Sequence, residues 1–200
     1  MTSKVKQKTP AMGLCIDFET SGADWDGDSS ITYQGLSFGA VIFNTTTFDV
    51  VDTLYCEIQF DGSKYKWNDS AEAIHGLSRE YLAANGMTRE DAAVALAEFV
   101  LKYFGPDPTV MFLGHNGGFD IKFTRQLLGE FEIMFKLHHV QLDTASTGFI
   151  TLGLFKSDLI FEALCLEERA KHNSLEDALY TVESCKRIRQ LVNIALYGDA

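Results

Sequence analysis

The chain has 200 residues, of which 46% are hydrophobic, and a formal net charge of −11. This length and composition suit one globular domain with a sizeable core, and no apolar run approaches the roughly 20 residues that a membrane-spanning helix needs. The acidic charge argues against a long footprint on duplex DNA, which depends on many phosphate contacts. It leaves room for an enzyme that holds only the last few nucleotides of a strand.

The hydrophobic pattern of the first half predicts three strands. Residues 12–18 form a mostly apolar and therefore buried strand. Residues 20–34 are rich in Gly, Asp and Ser and form a loop. Residues 35–44 and 48–60 form two more strands, and their short connection indicates an antiparallel hairpin.

Helices follow this hairpin. Residues 69–85 look like short helices, and a longer helix begins after Thr88 and runs to about residue 103. Asp91, three residues after Thr88, is typical of an N-terminal cap, although Glu or Gln is the more common partner. Gly105-Pro106 ends this helix.

The second half alternates strands and helices. The predicted elements are a strand over 109–114, a helix over 118–128, a strand over 138–142 followed by an N-cap at Asp143, a helix over 157–166, and a last helix that begins at Asn173 or Ser174 and runs to about 197. This order predicts an α/β domain in which helices flank a mixed sheet.

The chain ends and the cysteines give further expectations. The first ten residues are polar, carry three lysines and lack the apolar segment of a secretory signal. We therefore predict a disordered lead over residues 1–11, one domain over residues 12–200, and a cytoplasmic location.

The four cysteines show no CxxC spacing, which predicts buried, reduced thiols and argues against zinc; they are Cys15, Cys56, Cys165 and Cys185.

Two acids lie at the end of the first predicted strand, in Gly-Leu-Cys-Ile-Asp-Phe-Glu-Thr. Asp17 and Glu19 are two residues apart, so both side chains leave the same face of the strand. Two carboxylates at the end of a buried strand are costly unless a cation neutralises them. A strand end whose acids face water is the alternative, and a shared divalent metal is the interpretation that we favour.

A third acid, Asp120, follows the predicted strand over 109–114, in Gly-His-Asn-Gly-Gly-Phe-Asp. It lies in the first turn of a helix, where the helix dipole favours negative charge, so a simple helix-start acid is the alternative to a metal ligand. The adjacent His115 and Asn116 could form structural hydrogen bonds or contact a nucleotide.

A histidine and a fourth acid lie on either side of the start of the last helix. His172 lies in the loop before that start and Asp177 lies in the first or second turn, so both can face one pocket. A histidine before a helix is more often structural, and this pair alone is therefore a weak indication of a site.

Taken together, these three segments resemble the motifs of the DEDDh (DnaQ-like) 3′→5′ exonucleases, in their order and approximate spacing. Two further stretches are similar to the family, Ala-Ile-His-Gly-Leu-Ser at residues 73–78 and Gln-Leu-Asp-Thr at residues 141–144. The resemblance covers roughly Gly13 to Arg189. It implies a ribonuclease H-like fold with a mixed five-stranded sheet flanked by helices.

The resemblance also implies the chemistry. Two divalent ions, Mg²⁺ or Mn²⁺, would be held by Asp17, Glu19, Asp120 and Asp177, where paired ions can stabilise both the attacking and the leaving oxygen. His172 would act as general base on the attacking water. The expected reaction hydrolyses the terminal phosphodiester of single-stranded nucleic acid, with DNA slightly favoured, and releases 5′-mononucleotides.

Further residues are expected near the terminal nucleotide. Backbone groups around Thr20 and Ser21 would lie beside its sugar, and His75, His115 and Asn116 would help to build the pocket.

Four aromatic residues could also contribute. Phe119 and Phe123 fall in an apolar helical pattern, which favours core packing over base stacking. Trp25 and Trp67 are candidates for stacking on bases at the mouth of the pocket.

Two features depart from the family pattern. The loop over 22–34 is long and acidic, and Ser37 lies where many members have an acid.

Nothing after the last helix resembles a polymerase-binding tail, which favours a stand-alone enzyme; the apolar last helix permits a homodimer. The alternative functions are an RNA-trimming exoribonuclease similar to ribonuclease T or oligoribonuclease, and a catalytically silent module that binds nucleic-acid ends.

Overall fold

The computed structural model describes residues 10–24, 27–166 and 172–198. Residues 1–9 of the predicted lead lie outside these ranges, so that expectation stays a prediction. No helix within the described ranges has both the length and the apolar character needed to cross a membrane.

Within these ranges, six strands form one mixed sheet: β1 (Met12–Thr20), β2 (Gly35–Asn44), β3 (Val50–Glu57), β4 (Thr109–Gly114), β5 (Lys136–Leu137) and β6 (Leu142–Asp143). β1 pairs antiparallel with β2 and parallel with β4, and β2 pairs antiparallel with β3. β5 and β6 pair in parallel with opposite ends of β4 and share the fifth position of the sheet. The predicted mixed sheet and its hairpin are confirmed, and its fifth strand is split in two.

Helices flank this sheet, as predicted: α1 (Ser29–Thr32), α2 (Asp69–His75), α3 (Arg79–Asn85), α4 (Arg89–Phe104), α5 (Gly118–Gly129), α6 (Thr144–Leu152), α7 (Ser157–Ala163) and α8 (Ser174–Tyr197). The loop predicted over 20–34 is wrong at α1, where the Asp28 side chain caps a short helix. The predicted caps form. Thr88 accepts a hydrogen bond from the Asp91 N–H, Asp143 caps α6 and Asn173 caps α8.

The predicted strand over 138–142 is wrong except at Leu142. The His138 ring accepts a hydrogen bond from the Val140 N–H, and this local turn keeps the Val140 N–H out of a ladder with β4. The helix predicted over 157–166 ends at Ala163, where the chain turns towards a positive φ of 52° at Cys165.

The cysteine prediction holds only in part. All four thiols are free; Cys15 and Cys56 are buried and Cys185 is partly buried, but Cys165 is exposed. Cys165 lies just after α7, so the apolar pattern around it extended the predicted helix over a residue that faces solvent.

The two faces of β1 pack against different helices. Leu14, Ile16 and Phe18 belong to the large buried cluster that includes residues of α4 and α5. Cys15 belongs to a second cluster, which includes Ala178 of α8. Because side chains alternate along a strand, Asp17 and Glu19 leave the sheet on the same face as Cys15. The sheet therefore directs both acids to the side covered by α8.

Gly39 allows α8 to approach this face closely. It lies opposite Asp17 in the β1–β2 ladder, and a Cβ at this position would lie 2.2 Å from the Cα of Leu175. Any other residue would push the start of α8 away from the sheet. The Ser37 hydroxyl, 3.2 Å from the Ser174 hydroxyl, makes a further contact between β2 and α8.

Candidate active site

Three carboxylates converge where the end of β1 meets the first turn of α8. Oxygen atoms of Asp17, Glu19 and Asp177 all lie within 4.8 Å of one another. The three residues are partly exposed, so an ion can reach them from solvent. Carboxylate oxygens are the ligands that Mg²⁺ and Mn²⁺ prefer. The arrangement is therefore a candidate centre for a divalent metal.

Asp120, the fourth predicted ligand, lies deeper than these three and outside their 4.8 Å cluster. It is 3% exposed, and its Oδ1 accepts a 3.0 Å hydrogen bond from the N–H of Phe18. β4 pairs with β1 only as far as Cys15, so Asp120 takes up a backbone N–H beyond the end of that ladder. This contact fixes α5 beside the strand segment that carries Asp17 and Glu19.

The electrostatics of Asp120 test whether a cation fits the site. Burial raises the pKa of Asp120 well above its ordinary value, and the charges of Glu19 and Asp177 raise it further, although the Phe18 N–H lowers it. The four acids therefore resist simultaneous ionisation in the absence of a cation. A divalent ion would offset this repulsion, and the all-oxygen ligand set suits Mg²⁺ or Mn²⁺.

We expect Asp120→Asn to raise the melting temperature of the metal-free protein by a few degrees at neutral pH. The folded pKa of Asp120 lies above its unfolded value, so its contribution to stability is present below the unfolded pKa and is lost as pH rises through the folded pKa. Asn cannot ionise, and its side-chain oxygen can still accept from Phe18. Melting curves in EDTA from about pH 4 to about pH 8 should show a gap that grows with pH. A less stable variant at the upper pH would contradict this account.

His172 lies at the edge of the same site. It is exposed and adopts a positive φ of 60°, a conformation that is uncommon for residues other than glycine. Backbone strain of this kind clusters at functional sites, where the surrounding structure holds it in place. His172 follows this pattern, because it immediately precedes the α8 cap and lies beside the acids.

Asp143 holds the loop over 115–118 in place. Its carboxylate accepts hydrogen bonds from the backbone N–H groups of Gly117 and Ser146. Burial would raise the pKa of Asp143, but backbone hydrogen bonds from Ser146, Gly117 and Asn116 outweigh it and lower the pKa below its ordinary value. An ionised Asp143 therefore supports the loop that carries Asn116, which has a φ of 58°.

The two histidines that were predicted to help build the pocket, His75 and His115, both make hydrogen bonds within the protein, and His115 is the one of the two that lines the cleft. The His75 Nδ1 accepts from the Leu77 N–H at 3.0 Å, and its Nε2 lies 3.2 Å from the Thr20 carbonyl oxygen. The His115 Nδ1 lies 2.9 Å from the Thr144 hydroxyl. Burial lowers the pKa of both rings.

Thr20 and Ser21 are buried. The Ser21 hydroxyl donates to the Lys66 carbonyl and accepts from the Gln34 N–H, and the Thr20 hydroxyl donates to the Gly22 carbonyl. Their side chains therefore fix the chain beyond β1, and His75 holds this segment through the Thr20 carbonyl.

Three of the four aromatic candidates lie among the described residues. Phe123 is fully buried, which confirms core packing for this residue. Phe119 packs against it with ring centroids 4.8 Å apart, but it is partly exposed and also lines the cleft described below. Trp67 is half-buried against Phe60 and donates its indole N–H to Glu72. Trp25 lies outside the described residues.

A cleft of about 700 Å³ joins the site residues. All five predicted catalytic residues line it, together with His115 and Asn116. Other residues that line the cleft belong to none of the sequence motifs and were not predicted: Lys122, Ser157, Asp158, Phe161 and Thr181. Asp158 and Phe161 are three residues apart on α7, and this helical spacing could have identified them as one face.

One relative shares most of its length with the chain. It is the 3′-5′ DNA exonuclease Cap18 of Escherichia coli, which is 26% identical over 182 residues, covering 89% of this chain and 91% of the relative. No protein-family profile matches the chain.

Solved structures share the fold. The nuclease domain of 3′hExo, described as a DEDDh family member bound to rAMP, superposes with a TM-score of 0.72 at 14% identity, covering 92% of this chain and 94% of that domain. Exonuclease I of E. coli, in a complex with a dA16 oligonucleotide, superposes with a TM-score of 0.69 at 16% identity, covering 92% of this chain and 43% of that one. The chain thus spans about two fifths of the exonuclease I chains that it matches. The resemblance drawn from its motifs is confirmed, and the chain has the ribonuclease H-like fold of the DEDDh exonucleases.

Proposed function

We propose that this protein is a metal-dependent 3′→5′ exonuclease that hydrolyses the terminal phosphodiester of single-stranded nucleic acid and releases 5′-mononucleotides. The observation that carries this proposal is the meeting of Asp17, Glu19, Asp120, His172 and Asp177 in one cleft. These residues come from three distant parts of the chain, and the fold gathers them at the end of β1. A silent binding module would have no need to keep all five.

The four acids would hold two divalent ions, Mg²⁺ or Mn²⁺. When bound, such ions stabilise charge on the attacking and leaving oxygens of the phosphodiester. Asp17, Glu19 and Asp177 offer oxygens on the solvent side of the site, and Asp120 offers one from the buried side. The hydrogen bond from Phe18 orients the Asp120 carboxylate before any ion arrives.

His172 would accept the proton of the attacking water. Its exposed position before α8 lets it face the same cleft as the acids and pass the proton to solvent afterwards. A general base in this role typically contributes about 10²–10⁴-fold to the rate. The place of His172 in the lining of the cleft, immediately before the α8 cap, supports this role.

DNA is the favoured substrate, because the relative that shares most of its length with this chain is described as a DNA exonuclease. RNA is the second candidate, because a structure with the same fold is described as bound to rAMP. The net charge of −11 supports a short footprint confined to the strand end.

Digestion of matched single-stranded DNA and RNA oligonucleotides, labelled at the 5′ end, tests this function. With Mg²⁺ or Mn²⁺ we expect a ladder that shortens from the 3′ end, and with EDTA we expect none. The strand that is degraded faster identifies the substrate class. Wild-type protein that leaves both strands intact would overturn the proposal and favour a module that only binds ends.

A further inference from the structure

Phe155 is an exposed aromatic residue beside the cleft. Phe155 is 60% exposed and lies in the short connection between α6 and α7. The helix that follows this connection lines the cleft through Ser157, Asp158 and Phe161. Phe155 therefore lies two residues before a wall of the proposed active site.

The connection that carries Phe155 is anchored on both sides. Gly153 ends α6 with a φ of 71°, and the Leu154 N–H donates to the Gly148 carbonyl at 3.3 Å. A Cβ at Gly148 would lie 2.4 Å from a side-chain carbon of Ile160, so α6 and α7 are in close contact there. These contacts restrain the backbone of the connection that carries Phe155.

His115 lies near both Phe155 and the cleft. Burial lowers the pKa of the His115 ring, whereas the nearby Phe155 backbone raises it, and His115 itself lines the cleft. The other side of the same ring contacts the Thr144 hydroxyl at the start of α6. The backbone of Phe155 thus lies near a residue of the loop over 115–118 that lines the cleft.

The charge of the cleft bears on what this exposed ring could bind. Acids outside the proposed metal ligands also line it, namely Asp24 and Asp158, and among the described lining residues Lys122 is the one lysine or arginine. The cleft therefore offers few cationic side chains that could bind the phosphates of a strand. Proteins that bind single strands also use aromatic side chains, on which bases of any sequence can stack.

We propose that Phe155 stacks against a base of the substrate strand on the 5′ side of the scissile phosphate. This inference rests on the proposed function and deepens it, because it names the feature of the substrate that the rim recognises. A base can stack on Phe155 only if it has left its own stack and pairing partner. The rim therefore selects single strands over the ends of a duplex.

Tyr197 provides a matched control. It is 79% exposed and lies near the end of α8, twenty residues after Asp177. At about 1.5 Å per residue, this places it about 30 Å along the helix from the proposed site. Tyr197→Ala removes an exposed aromatic ring without touching the cleft.

The test compares Phe155→Ala, Phe155→Trp and Tyr197→Ala on two substrates. One is a single-stranded oligonucleotide, and the other is the p-nitrophenyl ester of thymidine 5′-monophosphate, which carries only the terminal nucleotide. We expect Phe155→Ala to raise KM for the oligonucleotide by about tenfold or more, with kcat and hydrolysis of the ester unchanged. Phe155→Trp should restore KM, and Tyr197→Ala should behave as wild type.

An oligonucleotide series with one abasic position at a time locates the stacked base. At one position the missing base should raise KM for the wild type but add nothing to the defect of Phe155→Ala. An unchanged KM in Phe155→Ala, or an equal loss on both substrates, would overturn the stacking role. Wild-type protein that hydrolyses neither substrate would instead refute the proposed function, and this inference with it.

Discussion

Asp17→Asn is expected to lower the rate of hydrolysis by at least about a thousandfold while the fold persists. This loss exceeds the roughly 10- to 100-fold typical of residues that only orient metal ligands, because Asp17 contributes an oxygen to the cluster itself. Asn has nearly the same size, so the close contact between Gly39 and α8 should survive. Rates with Mn²⁺ and circular dichroism spectra of both proteins measure the two parts of this prediction.

Metal binding can be followed in the same variant without activity. Mn²⁺ should raise the melting temperature of the wild type, because the ion binds only the folded site, and it should have little effect on Asp17→Asn. Asp107→Asn is the matched control: Asp107 is an exposed acid before β4, at the opposite end of the sheet, and pairs with Lys136. An active Asp17→Asn protein, or one that Mn²⁺ still stabilises fully, would contradict the assignment.

His172→Asn is expected to lower kcat by about 10²–10⁴-fold, the usual contribution of a general base, with the Mn²⁺-dependent rise in melting temperature retained. Asn tolerates positive φ better than most residues, so the backbone before α8 should keep its conformation. Asn cannot accept the proton, so the loss should appear in kcat and not in metal binding.

Two results would separate the possible roles of His172. If the variant lost the stabilisation by Mn²⁺, His172 would be a metal ligand. If kcat were unchanged, the base would be another group. His139→Asn is a suitable control, since His139 is also exposed but does not line the cleft.

Long elements with strong patterns could be predicted from the sequence, whereas short paired segments could not. β1 and β2 have clear apolar patterns, and α8 has an apolar pattern and an N-cap. All three lie close to their predicted positions in the structure. β5 and β6 have two residues each and exist only because they pair with β4. No local pattern marks such pairing, and this is why the strand predicted over 138–142 was wrong.

The candidate site shows a similar division. The motifs identify the acids and the histidine, but the separation of Asp120 from the other three depends on where the β1–β4 ladder ends. The position of Ser21 depends on hydrogen bonds with Gln34 and Lys66, which are 13 and 45 residues away in the sequence. Phe155 has no motif at all, and only its exposure and its position just before α7 reveal it.

The most direct test of the central claim is anomalous X-ray diffraction from crystals soaked with Mn²⁺ and a 5′-mononucleotide. We predict two manganese peaks about 4 Å apart, the usual spacing of two-metal sites, bounded by Asp17, Glu19, Asp120 and Asp177. No peak among these carboxylates, or manganese bound only elsewhere on the protein, would contradict the metal centre and the exonuclease mechanism built on it.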